Sequence, residues 1–196
     1  FTVRYNALIY SFIAIVAFAL TKFPLQRKIA GVAFSFFLIG LFVLYTGGKY
    51  KALTGIWQYS PFSGWAIANN AMYAYRFVDS ADRKPVPKRL QPLDNMIRKY
   101  FDSTRDVKKF PVEAQLASTA YMWSPGLPLY SYMDKQFARD TISAELRKWA
   151  IMGPLYADYG KYIILKYPLF YVRYYIWYNA QKYYAPPVEF LASYNS

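Results

Sequence analysis

The stretch ALIYSFIAIVAFALT-KFPLQRK-IAGVAFSFFLIGLFVLYTGG, residues 7–48, decides how the rest of the chain is read. It divides into two apolar segments, Ala7–Thr21 and Ile29–Gly48, joined by the short basic link Lys22–Lys28. Neither apolar segment carries a charged residue. The second is 20 residues long, which at ~1.5 Å per residue matches a hydrocarbon layer of about 30 Å. The first is shorter, but Lys22 can snorkel and lengthen it toward Phe23. Both segments are apolar on every face, with no polar stripe to meet water. The expectation is a transmembrane helical hairpin with spans at about 7–23 and 29–48. The competing reading is a pair of helices buried in a water-soluble core.

Outward from the hairpin, charge sets the expected orientation. Lys22, Arg27 and Lys28 lie in the link with no acid beside them, and short basic loops stay on the cytoplasmic side. The chain start and everything beyond Gly48 then belong on the outer face. Residues 1–48 form the membrane unit in this reading, and residues 49–196 an extracytoplasmic, membrane-apposed helical domain. For a bacterial inner membrane that side is the periplasm. Thr46-Gly47-Gly48 is expected to end the second helix.

The whole chain has 196 residues, of which 56% are hydrophobic and 21% aromatic, with 22 Tyr and 5 Trp. Such rings gather where an apolar body and a polar tip are both satisfied, as at membrane–water interfaces, and they also stack on sugars. The formal net charge is +13. No acid occurs before Asp79, so the cationic bias points to anionic partners, lipid phosphate foremost. No nucleic-acid-binding motif is present. With no Cys and no His, thiolate nucleophiles, imidazole bases, disulfides and the usual zinc sites are excluded. No cofactor or metal is implied. The chain opens on Phe1, and the expectation is a piece of a longer polytopic protein.

Beyond residue 48, Ser63 is placed to cap a helix over about Trp65–Val78. Asn69 and Asn70 stand mid-helix, either as hydrogen-bonded core contacts or as substrate contacts. Asp79–Gln91 reads as a proline-broken, non-helical connector whose Arg83, Lys84, Lys88 and Arg89 face water or headgroups. Pro92 opens an amphipathic helix carrying Leu93, Met96, Ile97, Tyr100 and Phe101 at helical spacing. Thr104–Tyr130 reads as ordered loop. Asp140 or Ser143 starts a helix over roughly Ala144–Met152, and Leu155–Tyr184 is helical in pattern but broken at Pro168. Lys166 and Arg173 inside the apolar run Tyr162–Tyr178 argue against a third span, since a central charge costs about 2.5–3.5 kcal/mol. A helix lying in the interface fits better. The acids are scattered among Lys and Arg, as for solvated ion pairs, and no catalytic signature is present.

Arg4-Tyr-Asn-Ala-Leu-Ile-Tyr10 at the outer start of a span resembles a segment of bacterial multi-spanning glycosyltransferases of the C-type fold class, which includes the protein mannosyltransferases. Ser60–Arg76 and Tyr183–Asn195 look like the outer-face region that follows such spans. The resemblance implies sugar transfer from a polyprenyl-phosphate donor at the outer leaflet, with this chain as a late portion. The catalytic acid of that family lies in an early outer loop, a region this sequence lacks, so no catalytic residue carries over. Arg4 is the residue best suited to grip the donor phosphate, with Tyr5 and Asn6 beside it, although an arginine there equally serves as a headgroup anchor. Asn69, Asn70 and Arg76 are the next candidates for substrate or packing contacts. Membrane lipids and a lipid-phosphate-linked sugar are the expected partners, with other membrane protein chains as well. The alternative function is a non-catalytic accessory subunit of a large membrane complex.

Overall fold

A computed structural model describes residues 10–104, 108–110, 113 and 117–184. Among them every regular element is helical and none is a strand. Two compact units divide the chain, the first ending at Ser60 and the second starting at Pro61.

In the first unit, α1 (Tyr10–Leu20) is followed by a turn at Thr21–Pro24 and by α2 (Leu25–Thr54). Pro24 sits at the N-cap of α2, which it can do because a first-turn position has no intrahelical use for an N–H. The two helices lie against one another. Phe18 covers Gly31 so closely that a Cβ there would strike the ring, and Lys28 Nζ donates to the Ala19 carbonyl at 2.9 Å.

The second helix is longer than the sequence pattern predicts. It starts at Leu25 rather than Ile29 and runs through Thr46-Gly47-Gly48 to Thr54. Gly47 is a buried seat for Trp57, whose Nε1 stands 2.5 Å from where a Cβ would be. The helix stops instead at Gly55, where φ is +78° and the N–H returns to the Lys51 carbonyl at 2.8 Å, the left-handed termination that glycine makes easily. At 30 residues, α2 is about 45 Å long and is long and apolar enough to cross a membrane. The described part of α1 has 11 residues, about 16 Å.

The second unit is organised on α3 (Pro61–Tyr75), which packs most extensively on α7 (Glu145–Lys166). Glycines let the two backbones meet. A Cβ on Gly64 would strike the Gly153 carbonyl, and one on Gly160 would come 2.6 Å from the Ile67 carbonyl carbon. The sequence pattern places the start of α3 near Trp65; the helix begins at Pro61, where a missing N–H costs nothing in the first turn. Between these helices in the chain come α4 (Gln91–Ser103), α5 (Ala120–Trp123) and α6 (Pro128–Gln136). Pro92 opens α4 as the spacing predicts, and Leu93, Ile97 and Phe101 point inward. The connector before it is not fully extended, since Ser80–Asp82 and Lys88–Leu90 are single 3-10 turns.

The Asp140 carboxylate accepts from the N–H groups of Ile142 and Ser143 at 3.1 and 2.9 Å just ahead of α7. That helix passes Pro154 and ends at Lys166, so the two helical stretches that the pattern separates, Ala144–Met152 and the one from Leu155, form one element. Pro168 then breaks the path as expected. It starts the short α8 (Pro168–Tyr171), which continues through a π-helical turn at Val172–Ile176 into α9 (Trp177–Tyr184). The core gathers Trp65, Met72, Tyr73, Ile97, Tyr121, Met133, Tyr156 and Tyr159 into one cluster.

Candidate functional site

Tyr73, Tyr75, Tyr121, Tyr156 and Tyr159 are among the largest fully buried side chains of this core, so hydroxyls are carried inside and need partners. They find them at two carboxylates. α4 supplies the first: Asp94 is one residue from the inward-facing Leu93 and turns into the core with it, 1% exposed. Arg98, one helical turn on, brings Nε to 2.6 Å from Asp94 Oδ2. Tyr159 of α7 donates its hydroxyl to Oδ1 at 3.1 Å. Burial nonetheless outweighs these contacts and raises the Asp94 carboxyl above the usual carboxylate range. Burial and the Asp94 charge together push the Tyr159 hydroxyl well above the ordinary tyrosine value.

The second carboxylate is Glu113. Tyr100 donates to Oε1 and Tyr121 to Oε2, both at 2.6 Å. Arg76 approaches Oε2 through Nη1 at 3.4 Å and binds the Glu113 backbone carbonyl through Nη2. The guanidinium also lies over the rings of Tyr73 and Phe77, 5.7 and 4.9 Å from their centroids. Burial, together with the glutamate, raises the hydroxyl pKa of both Tyr100 and Tyr121.

A third cation, Arg83, belongs to the connector read from sequence as solvated. It is buried instead. Its Nη2 and Nη1 meet the two Asp102 oxygens at 3.0 and 3.2 Å, its Nε donates to the Val78 carbonyl at 3.2 Å, and its plane lies 5.6 Å over the Tyr75 ring. Lys84, Lys88 and Arg89 of the same connector are exposed, and Arg89 pairs with Asp158.

Three indoles form a separate feature. Trp65 of α3 stacks on Trp149 of α7 at 5.0 Å and 11°, and Trp149 on Trp123 of α5 at 6.3 Å and 10°. Trp65 is buried, while Trp123 is 51% exposed. The ladder therefore runs from the core to the surface. Trp65 Nε1 donates to the Trp149 carbonyl at 2.9 Å. Tyr130 packs on Trp65 at 5.0 Å and feels the charges of Glu145 and Asp134.

Among the described residues, no group of three or more acids is placed to hold a metal ion. An open apolar depression lined by Phe12, Ile13, Val16 and Ala17 lies in the first unit, with no polar group to orient a ligand. No family model, curated protein or solved structure matches this chain.

Of the residues singled out from sequence, Arg4, Tyr5 and Asn6 lie outside the described residues. Asn69 and Asn70 are together on α3, with Asn69 Nδ2 donating to Asn70 Oδ1 at 3.1 Å and to the Ser118 carbonyl at 2.9 Å. Asn70 in turn makes side-chain hydrogen bonds with Tyr171 and Tyr175, so the pair ties α3 to the Ser118 loop and to the helical path after Pro168. Arg76 is held at Glu113. Sequence reasoning missed both buried carboxylates. For Asp94 the signal was present, an acid four residues before Arg98 beside an inward-facing leucine. Glu113 gave none, because its partners come from positions 13 and 8 residues away along the chain and from a third element.

Proposed function

We propose that this chain is a non-catalytic accessory component of a larger membrane assembly. Its first unit is embedded in the bilayer and its second is a rigid helical body that holds partners in place. The observation that carries this reading is the saturation of the two buried carboxylates. Asp94 and Glu113 have their oxygens taken by arginines and tyrosine hydroxyls. Groups so engaged lock helices in register rather than exchange protons with a substrate. The first unit supports the membrane half of the reading. Phe34, Phe37, Leu41 and Leu44 along α2 are exposed, a surface that water penalises and lipid accepts. An α1–α2 hairpin with its basic turn on the cytoplasmic side of a bacterial inner membrane remains the orientation that the charges favour.

The test is extraction of the native complex in a mild detergent. Comigration of the full chain with partner proteins on a native gel, together with cross-links from the exposed lysines of the second unit, is expected. Release as a lone monodisperse protein overturns the proposal.

A second reading, the late portion of a polyprenyl-phosphate glycosyltransferase, is favoured by one feature, the indole ladder ending at Trp123. An exposed indole face is what the C–H face of a pyranose packs on, and Asp134 and Glu145 supply acceptors for sugar hydroxyls in the same neighbourhood. Saturation transfer from the protein to a mannobiose probe, lost in Trp123→Ala, is the expected result under that reading. No transfer in the wild-type chain removes it.

A further inference from the structure

The path from the end of α7 to α9 has two apolar faces, and the second unit covers only one of them. The inner face is aromatic and packs on α3: Tyr167 lies 5.5 Å from Tyr75, Tyr174 stacks on Phe77 at 4.0 Å, and Asn70 holds Tyr171 and Tyr175. The outer face repeats at intervals of four, three and four residues. It consists of Leu165, Leu169, Val172 and Ile176, joined by Trp177. Leu165 and Leu169 are 80% and 81% exposed, and the others about half. This is an exposed apolar series that carries on across the Pro168 break and the π-helical turn, a spacing that scattered surface leucines do not have.

Two exposed cations, Lys166 and Arg173, stand seven residues apart and so along one edge of it. Lys166 Nζ stands 5.8 Å over the Tyr162 ring and Arg173 lies 5.2 Å over the Tyr174 ring, so aromatic contacts hold each charge along the helix. No acid occurs between Asp158 and the end of α9. An apolar stripe with a tryptophan, edged only by cations, is complementary to one surface in particular, the boundary between the acyl chains and the headgroups of an anionic bilayer. A protein partner of the same apolar character would have no need of a cationic edge free of acids.

We infer that the segment Leu165–Trp177 docks the second unit directly on an anionic membrane surface, its stripe immersed to about the depth of one side-chain layer and Lys166 and Arg173 paired with lipid phosphates. This is a contact separate from the α2 anchor, and it rests on the proposed membrane attachment only in that α2 keeps a bilayer within reach.

The cysteine-free sequence makes the experiment direct. The full chain carrying Leu169→Cys or Ile176→Cys, or Gln136→Cys on the exposed end of α6 as reference, is spin-labelled and reconstituted in vesicles of phosphatidylcholine with phosphatidylglycerol. Labels at 169 and 176 are expected to be accessible to oxygen and shielded from an aqueous nickel chelate, and the label at 136 the reverse. Replacing Lys166 or Arg173 with glutamine should lower the immersed-to-free ratio of the helix roughly fivefold per charge on the anionic vesicles and leave it unchanged on pure phosphatidylcholine. Chains that float with the vesicles while 169 and 176 remain as nickel-accessible as 136 overturn the docking and leave the α2 anchor standing. Shielding that disappears on dilution with unlabelled chain assigns the stripe to a second copy and also overturns it. Chains that do not float at all count against both.

Discussion

The two units of this chain bury opposite things. In the first, α2 shows leucines and phenylalanines on its surface and buries a glycine, Gly47. In the second, Asp94, Glu113 and Arg83 lie inside among tyrosines. One physical rule produces both patterns: each group goes where its alternative is worse. In hydrocarbon the backbone must bond to itself and side chains can be apolar all round. A compact body that carries tyrosines in its interior brings their hydroxyls with them, and these then require buried acceptors. The contrast teaches that the buried charges follow from the aromatic core, and need no substrate to explain them.

The strongest way to break the contrast is at Glu113. Truncation by Glu113→Ala removes the carboxylate on which the Tyr100 and Tyr121 hydroxyls and Arg76 Nη1 converge, and should cost about 3–5 kcal/mol, read by denaturant unfolding of the full chain in detergent. A loss under 1 kcal/mol would show that water reaches the cluster. The first unit should respond as sharply to the opposite change. Leu38→Lys, near the middle of α2, should raise the insertion free energy by about 2.5–3.5 kcal/mol in a translocon assay with glycosylation acceptors on either side. If α2 instead lay against water, the same variant would insert no differently and would be more soluble.

Smaller effects sharpen the picture inside the second unit. Gly64→Ala places a methyl against the Gly153 carbonyl and should destabilise by about 1–3 kcal/mol as α3 and α7 are forced apart. Unchanged stability would mean that the crossing is looser than its geometry. The gentlest test is pH. Because burial raises the Asp94 carboxyl, the folded state binds a proton there at pH values where the unfolded state has released it. Stability contributed at Asp94 therefore rises as pH falls through the raised pKa, and levels off below the ordinary carboxylate value. The slope is at most about 1.4 kcal/mol per pH unit for one proton. Subtracting the profile of Asp94→Asn from that of the wild type isolates it; a difference that grows with rising pH would reverse the assignment.

Much of this was legible in the residues. Pro92 with Leu93, Ile97 and Phe101 located α4, Pro168 located the break after α7, and the uncharged run from Ile29 located the long apolar helix. What the pattern could not convey was tertiary. Gly47 and Gly48 look like a helix terminus, yet Gly47 is needed where Trp57 folds back over it, and the helix takes its left-handed termination at Gly55. Arg83 reads as surface because its neighbours Lys84 and Lys88 are surface; only the positions of Asp102 and Tyr75 draw it in. Glu113 is set by residues brought together from three separate parts of the chain. Local periodicity carries information about faces, and none about which distant hydroxyl will arrive there.

The ladder of Trp65, Trp149 and Trp123 also couples three chromophores of the second unit. Excitation absorbed anywhere in that column passes readily among its members, whose neighbouring rings stand 5.0 and 6.3 Å apart. Any rearrangement that slides α5 or α7 away from α3 would interrupt the transfer and announce itself in emission anisotropy, giving the folded state a built-in optical gauge of its own helix packing.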